Sequence, residues 1–216
     1  MASDAPVSSV RPMFPQELVE DLARSGLEPA DLKVRALTGA EIAATNAPMS
    51  STGYVIPYFN AKGEAQPFYR VKLYNAADNI KYRQIADTPN YIYFPPRLND
   101  LLKNKPQYIM ITEGEKKAAC AVKHNFPCVG LSGVDSWRSR TIILPKDTNF
   151  NQKGTKQVAA KLPSGQGILE GIDTIAIGLQ EIIDYSLRHD VPLIMCFDTD
   201  ELGVKPEVMR AAASFG

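Results

Sequence analysis

Three short apolar runs most constrain what this chain can fold into: YIMITEG at 108–114, PCVGLSG at 127–133 and PLIMCFDTD at 192–200. Each has the length of a strand and breaks off at glycine or at acidic residues. Unbroken apolarity, rather than alternation, marks strands buried on both faces, as parallel strands are when helices cover them. Helices are expected in EKKAACAVKHN and from Ile172 to His189, where Ile175, Leu179, Ile182, Ile183 and Leu187 recur at helical spacing. Residues 106–216 therefore read as an α/β domain on a parallel sheet, with a final helix beginning near Glu207.

Residues 1–105 read as a smaller α+β region. Leu18, Leu22 and Leu27 suggest a helix stopped at Ser25-Gly26, followed by a helical turn at Pro29–Leu32 and a short helix from Gly39 to Ala47. A β-rich segment spans 53–97, in which GYVIPYF and PFYRVKLYN are joined by a turn at Asn60 and Gly63. Residues 1–15, rich in Pro, Ser and Ala, read as a loose lead-in, and the polar stretch from about Trp137 to Gly167 as a long loop.

The 24 Lys and Arg balance 24 Asp and Glu, which excludes coating of nucleic acid or membranes by bulk positive charge. Cys120, Cys128 and Cys196 form no paired spacing and read as buried free thiols of a reducing compartment. With only His124 and His189 beside them, a zinc finger or ribbon is excluded, and both histidines are expected at helix ends. No apolar stretch is long enough to cross a bilayer, so a soluble, cytoplasmic protein is expected.

Chemistry gathers at the strand ends. Glu113 closes the first run, and Asp198 and Asp200 close the third. In an open α/β sheet the carboxyl ends of parallel strands form one edge, so these carboxylates converge despite their distance in sequence. Clustered carboxylates repel unless a cation neutralises them, and oxygen-only ligands suit Mg²⁺ or Mn²⁺.

ITEGEKKAACAV, followed by GLSG and then IMCFDTDELGVKPEVMRAA, resembles the TOPRIM domain of primases, topoisomerases and some nucleases. The resemblance covers about residues 106–214 and is strongest to primase-type replication proteins of phages, plasmids and other mobile elements. Upstream, GYVIPYFNAKGEAQPFYRVKL resembles the β-rich piece that precedes TOPRIM in such proteins. The resemblance implies a Rossmann-like parallel sheet with flanking helices. It implies that Glu113 acts as general acid or base and belongs with Asp198 and Asp200 to the metal site, with Glu115 as an accessory acid. Lys116 and Lys117 are then expected to contact phosphate. The activity implied is metal-dependent synthesis of oligonucleotide primers on single-stranded DNA from nucleoside triphosphates, with a helicase domain or subunit as a further partner. A TOPRIM nuclease and a non-catalytic nucleic-acid-binding module are the alternatives. The zinc module of many primases is absent, and a complete TOPRIM domain carries a further strand, so the chain is expected to be a fragment whose activity in isolation is open.

Eight of the nine tyrosines lie between Tyr54 and Tyr108, interleaved with basic residues, and from Tyr54 to Lys117 ten cations face six anions. Most of these tyrosines are expected to be ordinary strand residues. Arg70, Lys72, Lys81 and Arg83 are expected to line a template path. Trp137 either packs over the nucleotide site or anchors the core. The basic residues from Lys146 to Lys161 read as a solvated loop that could also meet phosphates.

Overall fold

A computed structural model describes residues 14–76, 79–142, 171–198, 209–210 and 213. The N-terminal part begins with helix α1 (Gln16–Ala23), α2 (Pro29–Leu32) and α3 (Gly39–Ala44), with strand β1 (Arg35–Ala36) between the last two. Strands β2 (Gly53–Phe59), β3 (Ala65–Leu73) and β4 (Tyr82–Gln84) join β1 in an antiparallel sheet of order β1-β2-β3-β4. The turn between β2 and β3 is closed by the Asn60 side-chain oxygen, which accepts the backbone N–H groups of Lys62 and Glu64 at 3.0 Å each.

Alternation along β2 divides its side chains between two cores. Tyr54, Ile56 and Tyr58 enter the main core, whereas Val55 packs with Val71, Leu73 and Ile42 of α3 in a small cluster on the other face. Tyr54 and Tyr58 of β2 are buried, in keeping with the reading of the tyrosines as strand residues; Tyr93, in an isolated bridge to Gly130, is buried as well. The main core also takes in Ile109, Ile111, Val129 and Leu131, so one apolar cluster runs through both halves of the chain.

After α4 (Leu98–Lys103), strands β5 (Ile109–Glu113), β6 (Cys128–Leu131) and β9 (Leu193–Cys196) form a parallel sheet of order β6-β5-β9. The molecule is thus mixed α/β, with a three-stranded parallel sheet flanked by helices, an arrangement compatible with a Rossmann-like fold. Helix α5 (Glu115–Lys123) connects β5 to β6 and buries Ala118, Ala119 and Val122. Its last turn is tied to the N-terminal helices by Lys123, whose ammonium donates to the Asp31 carboxylate at 2.8 Å and the Gly26 carbonyl at 2.9 Å. Central β5 and neighbouring β6 are apolar and buried as expected. The third run departs from that expectation: β9 is an edge strand among the described residues, leaving Ile194 exposed and its other residues half-buried.

The stretch between β6 and β9 differs from the sequence reading in two ways. Strand β7 (Arg138–Ile142) begins where a loop was expected, and it pairs antiparallel with β8 (Gly171–Ile175). The helix expected from Ile172 begins only at Leu179, as α6 (Leu179–His189). Ile175 fits the helical stripe by spacing, yet it pairs with Arg138 in β8, and Leu187 faces solvent. Helix α4 had no counterpart in the reading. Residues 1–13, the loop residues Lys146 to Lys161, Asp200 and Gly203 lie outside the described residues; Met209, Arg210 and Ala213 are helical, within the expected final helix.

His124 follows the last residue of α5 and His189 ends α6, as expected. Of the cysteines only Cys128 is fully buried, its thiol pushed up to about 12 by that burial; Cys120 and Cys196 are half-buried. Trp137 is partly buried against the main core, which favours its role as an anchor.

Candidate functional site at the carboxyl end of the parallel sheet

Parallel pairing aligns the ends of β5 and β9. Thr112 is opposite Cys196 and Ile111 opposite Met195, so Glu113 and Asp198 emerge at the same edge although 85 residues separate them in the chain. On the other side of β5, Glu113 pairs with Leu131 of β6. The half-buried Glu113 carboxylate has no hydrogen-bonding or ionic partner among the described residues.

Gly114 turns the chain from β5 into α5 with φ 94° and ψ 145°, a region that residues with a Cβ rarely occupy. Its amide donates to the Leu131 carbonyl at 2.7 Å, which locks the turn onto the end of β6. The neighbouring strand must also be bare at this level. A Cβ on Gly130 would lie 3.0 Å from the Gly114 carbonyl oxygen and 3.3 Å from the Ala118 Cβ.

Two further acidic groups near this edge, Glu115 and Asp21, are already matched. Glu115, in the first turn of α5 and only 2% exposed, accepts from the Tyr58 hydroxyl and the Arg70 guanidinium, each at 2.7 Å. The helix dipole favours its charge there as well. Burial works against the Arg70 charge, but Glu115 outweighs it and raises the Arg70 pKa above its ordinary value. Burial and the same carboxylate keep Tyr58 protonated far above the usual phenol range. Arg70 also reaches the Ser132 carbonyl at 3.4 Å, so one side chain ties β3 to both the α5 and β6 borders of the edge.

Lys116 donates to the Asp21 carboxylate of α1 at 3.0 Å. Burial would raise the Asp21 pKa, but hydrogen bonds from the Tyr54 hydroxyl and from Lys116 prevail and hold it below the ordinary 3.8. Lys117 forms an ion pair with Asp198 across the exposed edge. The expected phosphate contacts therefore separate. Arg70 is committed to Glu115 inside the molecule, Lys116 to Asp21 and Lys117 to Asp198, while the Arg83 guanidinium donates to the Asn46 carbonyl at 3.2 Å. Lys72 and Lys81 share a pocket with α1. Sequence reasoning missed Tyr58 and Asp21, which control two charges of the edge from 57 and 95 residues away; no local pattern announces such partners.

Among the described residues no three Asp, Glu, His or Cys side chains are grouped to hold a metal. Glu113 and Asp198 are the two described carboxylates at the strand ends, and Asp200 lies outside the described residues. In chemical kind these oxygen donors fit a hard divalent cation.

The family model described as Domain of unknown function (DUF3854) matches residues 99–216. The chain belongs to the DUF3854 family. The DUF3854 region starts in α4 and contains β5, α5, β6 and β9, hence Glu113, Glu115, Lys116, Lys117 and Asp198, while Arg70, Tyr58 and Asp21 come from outside it. No curated protein and no solved structure matches the chain.

Proposed function

We propose that this DUF3854 protein carries a TOPRIM-type catalytic domain and acts as a primase-like nucleotidyltransferase, joining nucleoside triphosphates into primers on single-stranded DNA. The observation that carries this reading is the pairing of β5 with β9, which puts Glu113 and Asp198 at one edge of a parallel sheet. The order of motifs supports it: a strand ending in Glu-Gly, a strand ending in a small-residue loop, and a strand leading into Asp-x-Asp.

Glu113, with an unengaged carboxylate, serves as general acid or base toward the reacting hydroxyl. Asp198, with Asp200, would hold Mg²⁺ or Mn²⁺, and the ion when bound would neutralise the triphosphate and polarise the attacking 3′-hydroxyl. Lys117 now offsets the charge of Asp198 and is placed to pass to an incoming phosphate. Glu115, bonded to Arg70 and Tyr58, holds the first turn of α5 in place as a positioning residue.

The test is incubation of the chain with single-stranded template, labelled nucleoside triphosphates and Mn²⁺ or Mg²⁺. Short labelled products that vanish in Asp198→Ala and Glu113→Ala support the reading. Template degradation without incorporation identifies a nuclease, and template binding with neither reaction identifies a binding module; both overturn the primase assignment.

A further inference from the structure

Between α1 and the β3–β4 edge lies a pocket of about 320 Å³, lined by Arg24 just past α1, Lys72 and Tyr74 of the β3 end, and Lys81. Lys72 is only 9% exposed, yet among the described residues no carboxylate is within ion-pairing distance of its ammonium. Its contacts are a long hydrogen bond to the Leu73 carbonyl at 3.5 Å and the face of Tyr82, 5.0 Å from the ring centroid. A buried charge without a counter-ion is costly, and proteins rarely retain one without a partner. Burial first, then the like charges of Lys116, Lys81 and Arg24, lower the Lys72 pKa against the pull of Asp21.

The surrounding groups point the same way. Arg24 and Lys81 are exposed, and neither has a carboxylate partner among the described residues. The Tyr74 hydroxyl is buried and has no hydrogen-bond partner among the described residues. Three carboxylates also line the pocket, and they differ in kind. Asp21 is already engaged by Lys116 and Tyr54. Glu17 and Glu20 are exposed at the pocket mouth, where water and salt screen them more than Lys72 is screened.

We propose that Arg24, Lys72, Lys81 and Tyr74 form a binding pocket for a phosphate group. Lys72 supplies the buried charge, Tyr74 a neutral donor, and Arg24 and Lys81 close over the outer oxygens. The phosphate is that of a single-stranded nucleic-acid backbone or of a small phosphorylated molecule. The first source rests on the primase-like reading above; the pocket itself does not. Relative to the expected template path, the assignment keeps Lys72 and Lys81, adds Arg24 and Tyr74, and leaves out Arg70 and Arg83.

Two probes separate the sources: inorganic phosphate and a labelled oligothymidylate. A ligand that binds only the native state raises the melting temperature. Wild-type protein should melt higher in phosphate than in chloride of equal ionic strength, and Lys72→Met and Tyr74→Phe should lose the rise. Neither variant strands a charge, so both should stay folded by far-ultraviolet circular dichroism; Tyr74→Phe, which removes one hydroxyl, serves if Lys72→Met does not. Phosphate affinity by calorimetry should fall about tenfold or more in each folded variant, as expected for loss of one strong donor.

An equal fall in oligothymidylate affinity names nucleic acid as the source. A phosphate response without oligothymidylate binding keeps the pocket, assigns it to small phosphorylated ligands and counts against the template reading. No phosphate response in wild type, or an undiminished response in the folded variants, overturns the pocket. Primer synthesis that persists in those variants and vanishes in Asp198→Ala would then leave the proposed function standing without it.

Discussion

Arg70 on β3 and Glu115 at the start of α5 form an ion pair at 2.7 Å, with side chains only 11% and 2% exposed. The contact spans 45 residues of sequence and joins the antiparallel sheet to the edge where Glu113 and Asp198 emerge.

Removing one member of this pair leaves the other charged and buried. Arg70→Met and Glu115→Gln should each cost about 3–5 kcal/mol in urea unfolding. The double replacement Arg70→Met with Glu115→Gln should cost less than the sum of the singles, since no charge remains stranded. Simple additivity in a double-mutant cycle would show that the pair is not coupled as its geometry implies.

The Lys117–Asp198 pair has the opposite character. Its side chains are 48% and 64% exposed, and exposed pairs contribute little, about 0.2–1 kcal/mol. Asp198→Asn should therefore leave the urea midpoint nearly unchanged while removing the proposed metal-dependent nucleotide incorporation. A large loss of stability would make Asp198 a structural residue.

Acid and alkali should destabilise the fold through different groups. Asp21 and Glu41 are opposed by burial but held below their ordinary values by hydrogen bonds, from Tyr54 and Lys116 for Asp21 and from Thr38 and Arg35 for Glu41. A carboxylate depressed in the native state contributes stability that is fully present above its unfolded pKa and is lost as pH falls through the native one. That loss should therefore set in below about pH 4 and weaken in Asp21→Asn. Burial raises Tyr54, Tyr58, Tyr82 and Tyr93 instead, so the native state holds protons that the unfolded chain releases above the ordinary value of 10. Their contribution is intact below pH 10 and should fall above it by up to about 1.4 kcal/mol per tyrosine per pH unit. Tyrosinate absorbance should rise together with unfolding; ionisation well before unfolding would contradict the burial.

Gly114 and Gly130 should fail for different reasons. No atom of the described residues lies within 4 Å of where a Gly114 Cβ would sit, so Gly114→Ala pays for its positive φ, about 1–3 kcal/mol. Gly130→Ala meets the Gly114 carbonyl and the Ala118 side chain, a contact that only movement of the turn relieves. Both should also reduce the proposed nucleotide incorporation, because each displaces the backbone that carries Glu113. Unfolding midpoints measured beside turnover would check this.

Some of the fold was legible because its signals are local. The buried parallel strands β5 and β6 show as unbroken apolar runs, and α1 shows in Leu18 and Leu22, both wholly buried. The boundary between β8 and α6 was not legible. Ile175 stands four residues before Leu179, as a helical stripe requires, but pairing with Arg138 holds it in a strand, and Gly178 at φ 92° begins the helix afresh. Spacing alone cannot exclude a strand whose partner lies 37 residues upstream.

The sequence by itself determined where the acidic groups fall, since a strand length and a glycine turn place Glu113 at the end of β5 and Asp198 just past β9. It also determined the faces of β2, through the two-residue period of a strand. Only the tertiary structure decided which charges neutralise one another. Arg70 could have faced a template and Lys116 a phosphate, but chain closure over 45 and 95 residues set them against Glu115 and Asp21. The same closure left Lys72 buried with no carboxylate of the described residues at its ammonium. Periodicity acts within an element, whereas ion pairing depends on how distant elements meet.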